Sequence, residues 1–137
     1  MAKSQQLNFT QSLRFSGNTI TASDTTALKF LCSGGANDSV VKAISIASSD
    51  ATLRNVQLYA NDGTRNFLIS TATVAATSGT VGTAPSVDML SSTYNPATPY
   101  DANGKRILPL PSGVSIFANS TATVSGTIFI TVFTEDY

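Results

Sequence analysis

The sequence ATVSGTIFITV at residues 122–132 decides the fold class. Its even positions are apolar except at Gly126, and its odd positions begin with three hydroxyl residues. Alternation with a period of two, carried by β-branched residues, is typical of a strand that buries one face. We therefore predict that the chain closes with a long strand whose even positions, among them Ile128 and Ile130, point into a core.

The same alternation recurs along the rest of the chain. It predicts a hairpin over 53–73 that turns at Asn61-Asp62-Gly63, because Asp-Gly between apolar runs is a strong hairpin signal. Further strands are predicted over 7–15, 19–21, 27–33, 40–47, 107–110 and 114–118. Roughly eight strands at spacings of about ten residues predict an all-β fold, an antiparallel β-sandwich of the jelly-roll type.

The alternation also predicts which side chains fill the core. In the first strand Leu7, Phe9, Leu13 and Phe15 share a face, and Ser16-Gly17-Asn18 is predicted to be a turn. Cys32 follows Leu28 and Phe30 with a period of two, so it is predicted to be a buried structural thiol. The predicted core comprises Phe9, Phe15, Phe30, Ile44, Ile46, Leu58, Ile128 and Ile130.

The length of 137 residues suits one domain. We predict a polar arm at 1–6 and a single sandwich domain over 7–137. Within that domain, 75–106 is a long excursion punctuated by prolines, with one helical turn over 86–90 that Ser86 caps. Such a segment either forms an interface or wraps the sandwich as a surface excursion.

The composition argues against catalysis. The chain has no His, one Cys and one Glu, so the usual proton-transfer and metal-binding groups are nearly absent, and we expect no enzyme, cofactor or metal. Asp101-Ala102-Asn103-Gly104 begins like a calcium loop, but the Gly stands at the wrong position and no Glu follows, so a turn is predicted. Glu135 and Asp136 are strand neighbours whose side chains point to opposite faces.

The charge pattern bears on partners and location. Charged residues make up only 12% of the chain and the net charge is zero, which argues against binding nucleic acid or an anionic membrane. The 18 Ser and 19 Thr give a hydroxyl-rich surface, which suits contact with other protein or is simply a feature of the surface. The N-terminus lacks the apolar run of a signal peptide, so we expect synthesis in a cytoplasm without standard export.

Candidate contact residues come from the arm and the excursion. Tyr94 and Tyr100 flank two prolines and form either an exposed contact patch or pins that hold the excursion on the sandwich. The apolar residues of the excursion are candidates because a closed oligomer would bury them. The full set of candidate interface residues is Met1, Ala2, Lys3, Ser4, Gln5, Gln6, Val87, Met89, Leu90, Tyr94 and Tyr100.

Three segments carry a resemblance. The sequence LPLPSGVSI at 108–116, the hairpin turn with Asp62-Gly63-Thr64 and the terminal sequence FTEDY at 133–137 resemble small all-β virion proteins of tailed bacteriophages. The resemblance covers most of the chain from Leu13 onward. It lies in the general residue composition and the order of the segments. Among such proteins the chain resembles capsid decoration (cement) proteins.

The resemblance implies a structural role in the virion. Such proteins bind the outside of an expanded head, often as trimers, so the implied partners are the major capsid protein and two further copies of the chain in a homotrimer. The implied location is the virion, after synthesis in the host cytoplasm. Two alternatives stay open: a tail- or fibre-associated structural protein, and a carbohydrate- or receptor-binding jelly-roll module with Tyr94 and Tyr100 as contact residues.

Overall fold

The computed structural model describes residues 12–137, and 52% of the chain it describes is β-structure. Two sheets pack face to face. Their strands, in chain order, are β1 (Ser12–Ile20), β2 (Lys29–Ser33), β3 (Ser39–Ser48), β4 (Arg54–Asn61), β5 (Asn66–Val74), β6 (Val87–Asp88), β7 (Leu108–Leu110), β8 (Ser115–Ser120) and β9 (Ile128–Asp136). A single 3₁₀ turn, Ala22–Asp24, stands between β1 and β2.

The strand order defines a jelly roll. Sheet I has the order β1-β9-β3-β6, with β7 pairing on β3 beside β6, and sheet II has the order β2-β8-β4-β5. All these pairings are antiparallel. The first and last strands are neighbours, as are the second and second-to-last, which is how a chain wound in two Greek keys distributes its strands. The predicted all-β antiparallel sandwich is confirmed, with nine strands in place of roughly eight.

The core lies between the two sheets. In β9 the even positions Ile128, Ile130, Val132 and Thr134 are buried, as the alternation predicts. Ile44 and Ile46 of β3 join them from sheet I, and Leu58 of β4 faces them from sheet II. The predicted burial is thus confirmed for Ile44, Ile46, Leu58, Ile128 and Ile130. Phe9 lies outside the described residues.

The predictions for β1 are wrong in two respects. The strand runs without a turn through 16–18, and Phe15 is 76% exposed. Gly17 lies in register with Thr131 at φ +152°, and a Cβ there would stand 1.9 Å from the carbonyl oxygen of Ile130. Gly17 therefore permits a close strand approach, and the odd side chains of β1 point to solvent.

The inward side chains of β1 close the gap between the two sheets. Arg14 Nη2 donates to the carbonyl oxygen of Ser33 at 2.8 Å, and Asn18 Nδ2 donates to that of Phe30 at 3.0 Å. Both acceptors belong to β2, the edge strand of sheet II. The polar side chains at these even positions of β1 are therefore hydrogen-bonded to the edge of sheet II, and Leu13 and Phe15 at the odd positions face outward, while Ile20 at the end of β1 is buried in the core.

A bulge in β2 overturns the predicted burial of Phe30. Phe30 pairs with Phe117 and Cys32 pairs with Ile116, the next residue on β8. Leu31 is therefore an extra residue of β2 without a register partner on β8. Leu31 and Cys32 are consequently both buried, and Phe30 is 48% exposed. The predicted buried thiol is confirmed, but the period of two that was extended from Leu28 and Phe30 to Cys32 does not hold across a bulge.

The closing strand begins later than predicted. Residues 122–127 form a loop, in which Val124 is nevertheless buried, and β9 starts at Ile128. Gly126, the exception in the alternation, lies against the β3–β4 connection: a Cβ there would stand 2.7 Å from the Cα of Asp50. The apolar pattern is therefore shared by a packed loop and a strand.

The hairpin of β4 and β5 is confirmed, with its turn at Asn61-Asp62-Gly63. The carboxylate of Asp62 accepts hydrogen bonds from the backbone N–H groups of Thr64 and Arg65, and Gly63 has a φ of +98°. The predicted turn at Asp101 is confirmed in the same way, because its Oδ1 accepts from the N–H groups of Asn103 and Lys105.

The excursion over 75–106 packs on the sandwich. The predicted helical turn over 86–90 is wrong, because Val87 and Asp88 form β6 on the free edge of β3, in register with Ile46 and Ser45. Met89 follows, and its N–H donates to the carbonyl oxygen of Ile44 at 2.9 Å. An available sheet edge satisfies more backbone groups than an isolated helical turn, which explains the outcome.

Candidate interaction surfaces

The predicted interface residues are scattered. Residues 1–6 lie outside the described part of the chain. Met89 and Leu90 are corrected, since both are buried in the chain's own core beneath the excursion and are inaccessible to a partner. Val87 is half-buried against the same core. The excursion therefore uses its apolar residues to attach itself to the sandwich.

The two tyrosines of the excursion differ in role. Tyr94 packs against the core, and its hydroxyl donates to the carbonyl oxygen of Thr73 at 3.2 Å, so it pins the excursion to β5. Tyr100 is 60% exposed and lies against Arg106, whose guanidinium carbon is 4.5 Å from the centre of the ring. Of the two, only Tyr100 presents most of its surface to solvent.

Arg106 holds this part of the excursion together. Its Nη1 donates to three carbonyl oxygens, those of Asn95, Pro96 and Thr98, at 2.9–3.1 Å. Its Nη2 donates to the hydroxyl of Tyr100 at 2.6 Å. One side chain thus provides hydrogen-bond donors for carbonyl groups in a segment that makes few hydrogen bonds to neighbouring strands. Sequence reasoning missed this role because the acceptors are main-chain atoms.

The two most exposed of the large apolar side chains described, Leu13 and Phe15, belong to a patch on the outer face of sheet I. We call this the β1–β9 patch, and it consists of Leu13, Phe15 and Phe133, which are 79%, 76% and 44% exposed. Phe15 and Phe133 are register partners, with ring centroids 6.3 Å apart and planes tilted by 47°. The exposed area of the three is between about 300 and 400 Å² if an aromatic side chain offers about 200 Å².

Sequence reasoning assigned one member of this patch, Phe15, to the core. Phe15 was predicted to be buried because it alternates with Leu7, Phe9 and Leu13, although β9 carries Phe129 and Phe133 on the face opposite to Ile128 and Ile130. Only one face of a strand can point into a two-sheet core, and the even positions already fill it. The presence of large apolar residues at both even and odd positions of 128–133 was the available signal that the outer face of the sheet also carries apolar side chains.

Two concavities adjoin the β1–β9 patch. One, of about 340 Å³, is lined by Leu13, Arg14, Phe15, Lys42, Phe133 and Thr134. The other, of about 470 Å³, lies between β3 and the excursion, and its lining includes Lys42, Asp88, Tyr100, Lys105 and Arg106. Lys42 lines both concavities, so they are continuous on the outer face of sheet I. We call the second concavity, between β3 and the excursion, the polar cleft.

The polar cleft carries more positive than negative charge. Lys42 Nζ lies 3.3 Å from Asp101 Oδ2 across its rim. The backbone N–H of Lys105 leads the donors that hold the pKa of Asp101 below its ordinary value, with the N–H of Asn103 and the ammonium of Lys42 adding to the effect. Asp101 is therefore an ionised carboxylate that fixes both the turn and Lys42.

The most buried carboxylate belongs to the scaffold. Asp50 is fully buried and accepts hydrogen bonds from Arg54 Nε and from the N–H groups of Thr52, Ser125 and Gly126, at 2.8–3.3 Å. Burial raises its pKa, but these donors outweigh that effect and hold the pKa well below the ordinary value of 3.8. Asp50 thus joins the β3–β4 connection to the loop before β9.

Two further kinds of feature are absent from the described residues. Within 12–137, no group of three or more His, Cys, Asp or Glu side chains is placed to hold a metal ion. No helix in that range is long and apolar enough to cross a membrane. In comparisons with known proteins, no family model, curated protein or solved structure matches the chain.

Proposed function

We propose that this chain is a non-enzymatic structural protein that binds a larger protein assembly through the outer face of sheet I. The observation that carries the proposal is the β1–β9 patch, with Leu13 and Phe15 more than three-quarters exposed on an edge strand. An apolar patch of this order matches the largest patch on a typical monomeric protein, which is often functional. Its strands hold the side chains rigidly, which lowers the entropy lost on binding.

The more specific proposal is a capsid decoration protein of a tailed bacteriophage, with the major capsid protein as the occupant of this face. The jelly roll is an architecture found in virion proteins, and the resemblance at 108–116 and 133–137 points the same way. A shell subunit that meets the face would place apolar side chains on the patch and a carboxylate near Lys42, Lys105 and Arg106.

The proposed mechanism is mass action. A protein that binds the assembled shell but not free subunits stabilises the shell by the free energy of that binding. If three linked copies bind sites that the lattice presents together, the second and third contacts become intramolecular and the apparent affinity rises. We therefore also propose a closed homotrimer, formed through strand edges or sheet faces, since Met89 and Leu90 are buried within each copy.

The patch is tested by replacing its two paired rings. Phe15→Ser and Phe133→Ser should leave the protein folded, because both side chains lie on the outer face of sheet I and outside the core. Together they should weaken binding to purified phage heads that lack the protein by at least about tenfold. Phe67→Ser is the matched control, because Phe67 is 47% exposed on β5 of sheet II. Unchanged binding by the double variant would remove the patch from the proposal.

Two further measurements address the oligomer and the arm. Light scattering on the free protein should give three times the chain mass of 14.2 kDa, and a monomer would contradict the trimer. Deletion of residues 1–6 should leave the sandwich folded and weaken attachment to heads, because the arm precedes the strand that carries Leu13 and Phe15. Undiminished attachment would confine the contact to the patch and the cleft.

A further inference from the structure

A second apolar feature crosses the outer face of sheet II. The register aligns Phe30 of β2 with Phe117 of β8, Phe117 with Tyr59 of β4, and Tyr59 with Leu68 of β5. Each of the four strands thus contributes one large side chain to a single line. We call these four residues the sheet II row. At a strand spacing of about 4.8 Å, the row is about 14 Å long.

The row faces away from the core. Ile116 and Ala118, which flank Phe117 in β8, are buried, and so is Leu58 beside Tyr59. Phe30 and Leu68, at the two ends of the row, are 48% and 52% exposed. The rings of Phe30 and Phe117 meet edge to face, with centroids 5.6 Å apart and planes at 77°. The row is therefore a strip of three rings and one leucine on the outer face of the sheet, exposed at its two ends and half-buried at Phe117 and Tyr59.

Uncharged hydrogen-bonding residues border the row on both sides. One border consists of register partners across β8, β4 and β5: Asn119, Gln57 and Thr71. The other border consists of Ser115, Asn61 and Asn66 on the same three strands. Neither border contains Asp, Glu, Lys or Arg. The outer face of sheet II thus presents a strip one side chain wide between two lines of amides and hydroxyls.

We propose that the sheet II row binds a neutral oligosaccharide chain. A pyranose ring has an apolar C–H face and a rim of hydroxyls, so it matches a narrow aromatic strip with donors and acceptors along both edges. The uncharged borders complement a neutral ligand, because a carboxylate or ammonium would lose its hydration without gaining an ionic partner. The length of the row suits a chain of sugars lying across the strands.

The shape of the row disfavours a protein occupant. A stable protein interface buries about 800 Å² on each partner around a continuous apolar centre. The sheet II row is only one side chain wide. Amide side chains lie on both sides of it, in the positions that the apolar centre of a protein interface would have to occupy. The β1–β9 patch, on the opposite sheet, is the broader apolar surface, so the two features fit different partners.

The residues of the row are positioned before binding. The Tyr59 hydroxyl donates to Gln57 Oε1 at 3.1 Å, which links the row to one border. Asn61 Nδ2 donates to Asn66 Oδ1 at 2.6 Å within the other border. Side chains on paired strands that already hold each other lose little freedom when a ligand arrives.

The test uses maltohexaose, cellohexaose and chitohexaose, with hexagalacturonic acid as the acidic counterpart. Each is titrated at millimolar concentration into ¹⁵N-labelled protein, and backbone amide shifts are followed by NMR. At least one neutral hexasaccharide should shift the amides of Phe117 and Tyr59 and bind more tightly than the acidic one. Tyr59→Ala and Phe117→Ala should each weaken that binding by about tenfold.

Two other variants keep the test decisive. If either aromatic variant unfolds, Gln57→Ala removes a border hydrogen-bonding group from a half-buried position outside the core and should still weaken binding severalfold. Phe129→Ala, on the opposite sheet, should leave sugar binding unchanged. Conversely, Tyr59→Ala should still attach to phage heads, so failure of this inference is separate from failure of the proposed function.

Several outcomes would overturn the inference. These are the absence of shifts at Phe117 and Tyr59 with all three neutral sugars, binding that survives both aromatic variants, and equal binding of the acidic hexasaccharide. Self-association that Phe30→Ser abolishes would also overturn it, because a second copy of the chain would then occupy the row.

Discussion

Arg14 in the first strand holds Asp136 in the last through two parallel hydrogen bonds, Nε to Oδ2 at 2.8 Å and Nη2 to Oδ1 at 2.9 Å. The hydroxyl of Ser39 in β3 donates to the same carboxylate. Three neighbouring strands of sheet I are therefore tied at one end by a single acidic side chain. The bidentate geometry makes this a stronger contact than an ordinary exposed ion pair.

This contact predicts a loss of stability in acid. The hydrogen bond from Arg14, followed by that from Ser39, lowers the pKa of Asp136 from 3.8 to about 2. A carboxyl with a lowered folded-state pKa contributes stability above its unfolded pKa and loses it as the pH falls through the folded value. The unfolding free energy of the wild type should therefore approach that of Asp136→Asn between pH 3.8 and about 2, as measured by urea titrations. A constant difference across that range would contradict the assignment.

Asp50→Ala should be among the most destabilising single substitutions. It would leave the Arg54 guanidinium and the N–H groups of Ser125 and Gly126 without their acceptor in a buried site. Removing one partner of a buried, hydrogen-bonded pair costs about 3–5 kcal/mol. Asp62→Ala, at the exposed hairpin turn, is the matched control and should cost much less, because water can replace the lost acceptor. Comparable losses in urea denaturation would show that Asp50 is no more than a local turn residue.

Phe15→Ser should change the unfolding free energy very little, whereas Ile130→Ala should lower it strongly. Phe15 is 76% exposed, so its loss should change the unfolding free energy by no more than about 0.5 kcal/mol. Ile130 is 3% exposed in the core, and its truncation should cost about 2–5 kcal/mol. Thermal and urea denaturation of the two variants provide the measurement. A large loss of unfolding free energy for Phe15→Ser would contradict the exposed position of that ring and indicate that it is buried.

Cys32 should be inert in the native protein. Its thiol is 1% exposed, and burial raises its pKa to about 11, so the reactive thiolate is scarce near neutral pH. A thiol reagent such as DTNB should label the protein in guanidinium but not in buffer. Cys32→Ala should retain attachment to phage heads with only a modest loss of stability. Rapid labelling of the folded protein would contradict both the burial and the structural role.

The sequence predicts the fold class because most strands obey a simple period. Ile44, Ile46 and Leu58 alternate with smaller or more polar residues, and each is buried as that alternation requires. The hairpin turn at Asp62 and Gly63 is likewise decided by local backbone chemistry. Features that depend only on neighbours in sequence were therefore predictable.

The errors arise where contacts between strands decide the outcome. The bulge at Phe30 depends on the register with β8, and the straight path of β1 depends on how closely Gly17 approaches Ile130. The outward position of Phe15 depends on Arg14 and Asn18 finding acceptors on another sheet. The candidate surfaces were missed for the same reason, because a period of two identifies two faces but does not say which one is covered.

The side chains of Arg14 and Asn18 also bear on how copies of this protein tolerate crowding. An edge strand with free carbonyls invites a neighbouring molecule to add a strand, and repetition of that event produces fibres. In β2 the carbonyl groups of Phe30 and Ser33 are already occupied from within the same molecule. A strand added at that margin of sheet II would have to displace both hydrogen bonds, which protects the protein there from polymerising edge to edge.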